Sequence, residues 1–448
     1  MENDHASVAD LSCHRLESAH FHIDVKSEEE IFDISLKYVV SCLQPKKSLY
    51  LDMENLHIIE VLLDGERSDW SVKEHKAKQF GSALVIPCNS DKNQVVVEIK
   101  FQTDKKACSA VQWLPASSTA GKKLPFFFSQ CQAINARSLY PCQDTPGSKF
   151  TYTAEVHAPA NIAVLLAAVR KSEPTQCNEH DECKVYNYAQ EIPVPSYLFA
   201  IAGGDITGKK IGPRSTVWAE PSLVEAAAHE FAETENMLST AEKLCGPYEW
   251  GVYDILVPPA SFPFGGMENP CLTYVTPAII AGDRSLDNVI AHEISHSWTG
   301  NLVTNSTWEH FWLNEGHTDY LERLIVSELQ GEQVRLLHIC IGLEELRESV
   351  EAFGHEHEFT KLVPNLHNVH PDDSYSRVPY EKGSLLLYHL ETVYGKDKMI
   401  TWLKAYLQVQ FYFFKTISFL NGEYVYEFFV QVLFFTIFFY KPTEGDLF

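Results

Sequence analysis

His292-Glu293-Ile294-Ser295-His296 sets two imidazoles four residues apart, a spacing that brings both to one face only where the chain is helical. Leu286, Ile290, Ile294 and Trp298 recur every four residues around them, an apolar back that would bury the helix and hold it rigid. Gly282-Asp283-Arg284-Ser285 precedes this stretch, with Ser285 the expected cap, and Gly300 ends it. Such a helix presents two ligands to one metal ion. Glu293 lies on the flank, where a carboxylate can take a proton from water. Glu315 comes nineteen positions after His296, within Trp312-Leu313-Asn314-Glu315-Gly316 and inside a second helical pattern, and is the natural third ligand. Two histidines and a carboxylate leave a fourth position to water, the donor set of a catalytic zinc ion rather than a structural one.

Other side chains near this pattern carry weaker signals. Tyr375 and Tyr380 flank Arg377-Val378-Pro379 at the start of a further helix, and a tyrosine hydroxyl is a suitable donor to a developing oxyanion. Asp319, one turn after Glu315, reads as a solvated helix carboxylate before it reads as a partner that orients an imidazole, and Glu322 has the same two readings. His310 and His317 read as structural or exposed, because neither shares a face and spacing with the three ligands.

Residues 1–204 read as an N-terminal all-β domain. His20 to Val25, Ile31 to Val39, Leu56 to Leu63, Val95 to Phe101, Phe150 to Val156 and Val185 to Gln190 are rich in β-branched or aromatic residues, with turn residues such as Asp64-Gly65 between them. An antiparallel sandwich or saddle-shaped sheet fits this spacing better than a parallel one. Gly203-Gly204 ends the β-rich region. From 205 to 408 the period becomes helical, with helices expected over Pro221 to Leu244, Leu286 to Trp298, Trp308 to Leu329 and Tyr380 to Val393. Residues 409–448 form an atypical aromatic tail, with fourteen aromatics between Phe411 and Tyr440. Its most apolar part, Phe428 to Tyr440, is shorter than the roughly 20 residues of a membrane span.

Charge and cysteine usage narrow the classes. A net charge of −24 repels a phosphate backbone, and no basic stripe offsets it, so nucleic acid is excluded as a partner. The eleven cysteines are odd in number and form no CxxC pair, which points to reduced thiols rather than a disulfide framework. The first twenty residues contain no apolar signal core, so a cytoplasmic protein is expected.

Gly265-Gly266-Met267-Glu268-Asn269, then the HExxH pentapeptide, then Glu315 at its spacing, together resemble the zinc aminopeptidases of the M1 type. Ser129-Gln130-Cys131-Gln132-Ala133 and the run from Tyr375 to Gly383 are most similar to the leukotriene A4 hydrolase branch of that family, with aminopeptidase B as the near relative. The resemblance covers roughly residues 10 to 408. It implies a saddle-like β domain followed by a thermolysin-like α/β zinc domain, with one zinc ion per chain held by His292, His296 and Glu315. Glu293 matches the general base and Tyr380 the oxyanion and proton-donor tyrosine. Glu268 matches the carboxylate that holds the free α-amine of a short peptide, with Gln132 as a second contact. Gly265, Gly266 and Met267 match an edge strand along the substrate. For a lipid epoxide substrate, Tyr375 matches a tyrosine lining the lipid pocket and Asp372 the aspartate that directs water. The family's helical C-terminal domain is expected to be missing or truncated here. An aminopeptidase B-like enzyme without epoxide hydrolysis, a catalytically impaired zinc-binding homologue, and a zinc endopeptidase all remain open at this point.

Overall fold

His14–Lys26 and Ile31–Cys42 alternate buried and half-buried side chains, and that period of two folds them into an antiparallel pair with one face against the core. They lie at the centre of a nine-stranded sheet. Its order is Val169–Arg170, Cys183–Pro195, Lys149–Pro159, His14–Lys26, Ile31–Cys42, Gln94–Gln102, His57–Leu63 and Glu66–Arg67, with Thr175–Gln176 also beside Cys183–Pro195. All six expected strands are present. The pairs are antiparallel except that His14–Lys26 runs parallel to Lys149–Pro159. In the computed structural model the described residues are 4–417 apart from 45, 89, 90 and 178–181, with side chains described to 409. Residues 418–448, most of the expected aromatic tail, lie outside them.

The β-rich region does not end at Gly204. Gly203 and Gly204 lie within the strand Ile201–Gly204, under the rings of Phe127 and Phe126, where any Cβ would collide with them. A five-stranded sheet then follows, ordered Thr207–Lys210, Thr216–Ala219, Asp254–Leu256, Leu272–Val275 and Gly266–Met267. Asp254–Leu256 falls within Tyr253 to Pro258, a stretch that reads as strand-like in the sequence, but the strands are two to four residues long, too short for alternation to register.

The helices are α1 (Ala136–Leu139), α2 (Val224–Glu230), α3 (Thr234–Cys245), α4 (Asn288–His296), α5 (Trp312–Gln330), α6 (Glu332–Phe353), α7 (Gly383–Tyr394) and α8 (Lys396–Ile417). The single helix expected over Pro221 to Leu244 is broken between α2 and α3, where the Thr234 hydroxyl donates to the Phe231 carbonyl at 2.7 Å. Every residue of α5 from Asn314 to Val326 is buried, so this helix is packed on all sides. At Gly316 it meets α7 backbone to backbone. A Cβ on Gly316 would sit 2.7 Å from the Gly383 Cα, backbone against backbone. Gly316→Ala should therefore cost about 1–3 kcal/mol through overpacking, read as a lower urea midpoint. An unchanged midpoint would mean that the two helices are not locked at this crossing.

Lys149 links the long sheet to the loop after α4, donating from Nζ to the carbonyls of Asn301 and Leu302 at 3.0 and 3.1 Å. Burial lowers its ammonium from 10.5 to about 7. Between those values the unfolded chain holds a proton that the fold has released, so this group makes stability rise with pH across that window. The wild type should gain stability relative to Lys149→Met as pH rises from about 7 to about 10 in parallel urea titrations. Equal slopes would contradict the burial of this amine.

One bond corrects the expectation of reduced thiols throughout. Nine cysteines are free, but Cys177 and Cys183 form a disulfide. The Cys177 N–H donates to the Cys183 carbonyl at 3.1 Å, so pairing of Thr175–Gln176 with Cys183–Pro195 brings the sulfurs together. Sequence spacing does not reveal that hairpin. Among the described residues no helix is long and apolar enough to cross a membrane.

Candidate active site

Helix α4 begins later than its apolar period suggests. Ser285 is not its cap: the Ser285 N–H donates to Asp283 at 3.0 Å, and the helix starts after Asp287. Leu286 is correspondingly 41% exposed and lines the cleft, whereas Ile290, Ile294 and Trp298 are buried as the apolar back. Gly300, with φ of 127°, turns the chain at the far end, and a Cβ there would come within 2.8 Å of the His296 ring. The turn lets the Thr299 carbonyl sit 2.9 Å from His296 Nδ1, which directs His296 Nε2 toward the cleft.

His292, His296 and Glu315 converge. The two Nε2 atoms lie 3.1 Å apart, and Glu315 Oε2 lies 3.5 Å from His292 Nε2 and 3.2 Å from His296 Nε2. Zinc bonds of about 2.0–2.2 Å in tetrahedral geometry separate ligand atoms by about 3.3–3.5 Å, so these three atoms already stand at the corners a zinc ion needs. Glu315 Oε2 and Glu293 Oε2 are buried with no hydrogen bond of good geometry, acceptors left for a cation and a water. Burial would lower an imidazole and raise a carboxyl, but here ion pairing wins. Glu315 and Glu268 lift His296 to about 9, and the two histidines pull Glu315 down to about 2. The charges are arranged around a centre that wants positive charge.

The reading of Asp319 and Glu322 as solvated carboxylates is overturned. Both are buried, and both face His292 Nδ1, Asp319 at 3.0 Å and Glu322 at 3.2 Å. They lie one and two turns after Glu315 on the same face of α5, so one helix supplies a ligand and the groups that orient another ligand. His310 and His317 are buried and structural; His317 stacks on Tyr406 with ring centres 5.3 Å apart.

Behind this layer is a charge network that sequence reasoning missed. Arg323 and Arg377 grip Glu381 at 2.7 and 2.8 Å, Arg377 also stands 3.6 Å from Asp319, and its guanidinium lies 4.6 Å from the Tyr380 ring centre. A Cβ on Gly342 of α6 would collide with the Glu381 carboxyl. Asp319/Arg323 and Arg377/Glu381 are both i,i+4 pairs, the one signal available, but the sequence does not say that the two pairs meet.

The remaining expected residues line a cleft of about 680 Å³ above the metal ligands, with one exception. Gly266–Met267 forms the edge of the five-stranded sheet, opposite Val275 and Tyr274. Gly265 and Gly266 face the cleft, but the Met267 side chain turns away and is buried, its sulfur accepting from Gln130 Nε2 at 3.0 Å. Glu268 is buried at one end of the cleft, its Oε1 accepting from Gln132 Nε2 at 3.2 Å and its carbonyl from Asn301 at 2.7 Å. Burial raises the Glu268 carboxyl against the opposing pull of His296. Tyr380 is buried, its ring 6.1 Å from that of His292 and its hydroxyl 3.4 Å from the hydroxyl of half-exposed Tyr375. Asp372 lies on the cleft wall with its side chain 52% exposed.

Residues 17–198 match the peptidase M1 N-terminal domain and residues 229–421 the peptidase family M1 domain. Leukotriene A-4 hydrolase of Xenopus laevis is 46% identical over 419 residues, which is 93% of this chain and 68% of that protein. The chain belongs to peptidase family M1. Within the family, leucine aminopeptidase 2 of Aspergillus niger is 45% identical over 367 residues, 81% of this chain and 59% of that protein. Yeast LTA4 hydrolase, solved with bestatin, superposes with a TM-score of 0.87 at 39% identity over 96% of this chain and 67% of that one. A two-domain M1 zinc metallopeptidase from Deinococcus radiodurans, solved with L-tryptophan, shares the fold with a TM-score of 0.73 at 19% identity, covering 97% of this chain and 94% of that one.

Proposed function

We propose that this chain is a zinc aminopeptidase that removes the N-terminal residue of short peptides. The observation that carries the reading is the Glu268 carboxylate, buried in the same cleft as the His292, His296 and Glu315 set, with a glycine-lined strand edge between them. A fixed anion at that distance from the reacting centre selects a free α-amine and so measures out the first peptide bond. The exposed main chain of Gly265 and Gly266 lets an extended peptide approach as an added strand.

His292, His296 and Glu315 would hold a zinc ion, which would supply Lewis acidity to acidify a water and polarise the scissile carbonyl. Glu293 takes the proton from the attacking water. Burial pushes its carboxyl up to about 8 against the pull of the two histidines, and a nearby dication would draw that value down into the range of a working base. Having taken the proton, Glu293 gives it to the departing amine. The Tyr380 hydroxyl donates to the oxygen that becomes negative. Burial, then Glu315, holds that phenol well above its ordinary value, so it keeps its proton for donation. Tyr380→Phe should lower kcat by about 10²–10³ with little change in KM and full zinc content; an unchanged kcat would remove Tyr380 from the chemistry.

Hydrolysis of a lipid epoxide is a second reading, favoured by the half-exposed Tyr375 ring, 6.3 Å from that of Phe264, and by Asp372 on the same cleft wall. Asp372→Asn should then reduce epoxide opening while sparing peptide cleavage. Equal losses in both would reject a separate water-directing role. Nine free thiols favour a cytoplasmic location, and the Cys177–Cys183 disulfide counts against it. The primary test compares short peptides with free and N-acetylated amines. Strong preference for the free amine is expected, and equal cleavage of both would make the enzyme an endopeptidase.

A further inference from the structure

The outer face of the nine-stranded sheet carries a second constellation of metal-ligating side chains. His14–Lys26 and Lys149–Pro159 run parallel, with His22 opposite Glu155 and Asp24 opposite His157. Phe21, Ile23 and Val25 on one strand, and Ala154, Val156 and Ala158 on the other, point into the core. Alternation therefore puts His22, Asp24, Glu155 and His157 together on the outward face. The two imidazole centres lie 4.7 Å apart, and donor atoms of His22, Asp24 and His157 all fall within 4.8 Å of one another.

The two nitrogens of each ring divide between two carboxylates. His22 Nε2 and His157 Nδ1 face Asp24, at 3.8 and 4.0 Å. His22 Nδ1 and His157 Nε2 face a single oxygen of Glu155, at 3.2 and 2.8 Å. That division is what a metal–histidine site requires: one nitrogen lone pair of each ring turned toward the ion, and the opposite N–H held by an acceptor. Glu155 satisfies the second need for both rings at once, as Asp319 and Glu322 do for His292. The spacings to Asp24, to Oδ2 from His22 and to Oδ1 from His157, exceed the roughly 3.4 Å of tetrahedral zinc by about half an ångström, within reach of a carboxylate rotation and of side chains that are about one-third exposed. Two carboxylates beside two neutral imidazoles also leave a charge that one dication cancels.

We propose that His22 Nε2, His157 Nδ1 and the Asp24 carboxylate form a second site for a zinc-class divalent cation, with Glu155 orienting both imidazoles and solvent completing the coordination. The ion would staple the one parallel strand pair that this sheet has among the described residues. Imidazole and carboxylate donors suit zinc, nickel and copper rather than magnesium or calcium. Cys177 and Cys183 also approach His157, but joined as a disulfide they offer no thiolate, so the donors are nitrogen and oxygen.

The test is zinc counted per chain by elemental analysis, after dialysis of the zinc-loaded enzyme against micromolar free zinc. Wild type should hold one more ion than the His22→Asn/His157→Asn double variant, with peptidase activity equal in the two. Glu155→Gln should weaken the extra ion about 10–100-fold while the tighter ion stays. Cys177→Ser/Cys183→Ser should keep both ions. Since the ion binds the fold and not the unfolded chain, zinc should also raise the thermal midpoint of wild type above that of the double variant, a readout independent of catalysis. Equal zinc content in wild type and double variant would overturn the site, and loss of the extra ion in the serine variant would overturn its nitrogen and oxygen donor set.

Discussion

Glu293→Gln should keep its zinc and lose about 10²–10⁴ in kcat, the range expected when a positioned general base is removed. The substitution is nearly isosteric, and the site gives it little room to do anything else. Gly266 of the edge strand packs directly over the Glu293 carboxyl, which is why a Cβ at 266 would collide with it. Glu293 is 5% exposed, and one of its carboxyl oxygens has no donor of its own. An amide in that place presents an N–H where a lone pair is needed, so the water keeps its proton. None of the three metal-facing atoms belongs to residue 293, and zinc content read beside kcat therefore separates chemistry from metal loss. Retained turnover would reject the role of Glu293, whereas loss of both zinc and turnover would make it a structural support of the ligand helix.

Glu268→Gln should lower kcat/KM for peptides with a free amine by about 2–5 kcal/mol, the penalty for truncating one partner of a buried charge pair, and leave N-acetylated peptides almost unaffected. Glu268 is buried in the cleft lining, braced by Gln132 and by the bond from Asn301 to its carbonyl. A bound ammonium would neutralise a carboxyl that burial otherwise pushes up, and removing that charge abolishes the reason to prefer an α-amine. If the variant discriminates between the two peptide series as well as wild type does, the free amine is recognised elsewhere.

Much of this architecture was legible because its signals are local. The pentapeptide from His292 to His296 fixes a helix face through its own spacing, and Glu315 follows on a helix whose period is plain. The long strands of the first sheet alternate over nine to thirteen residues and were recognisable. Four things escaped the local pattern, each for a physical reason. Asp319 and Glu322 read as a solvated face because the sequence of α5 does not say that it is buried all round. The two-residue edge strand Gly266–Met267 has no period at all; its place came from the family motif. Leu286 fits the apolar repeat of α4 but lies before its first turn, so periodicity carried the helix too far. The Cys177–Cys183 bond depends on a hairpin register that composition cannot express.

Anomalous diffraction at the zinc edge, on crystals of the zinc-loaded protein, bears most directly on the convergence of α4 and α5. A peak is expected about 2.0–2.2 Å from His292 Nε2, His296 Nε2 and Glu315 Oε2, with one position left to solvent. A peak on the other side of the imidazole, among His292 Nδ1, Asp319 and Glu322, or no peak between the three ligands, would contradict it.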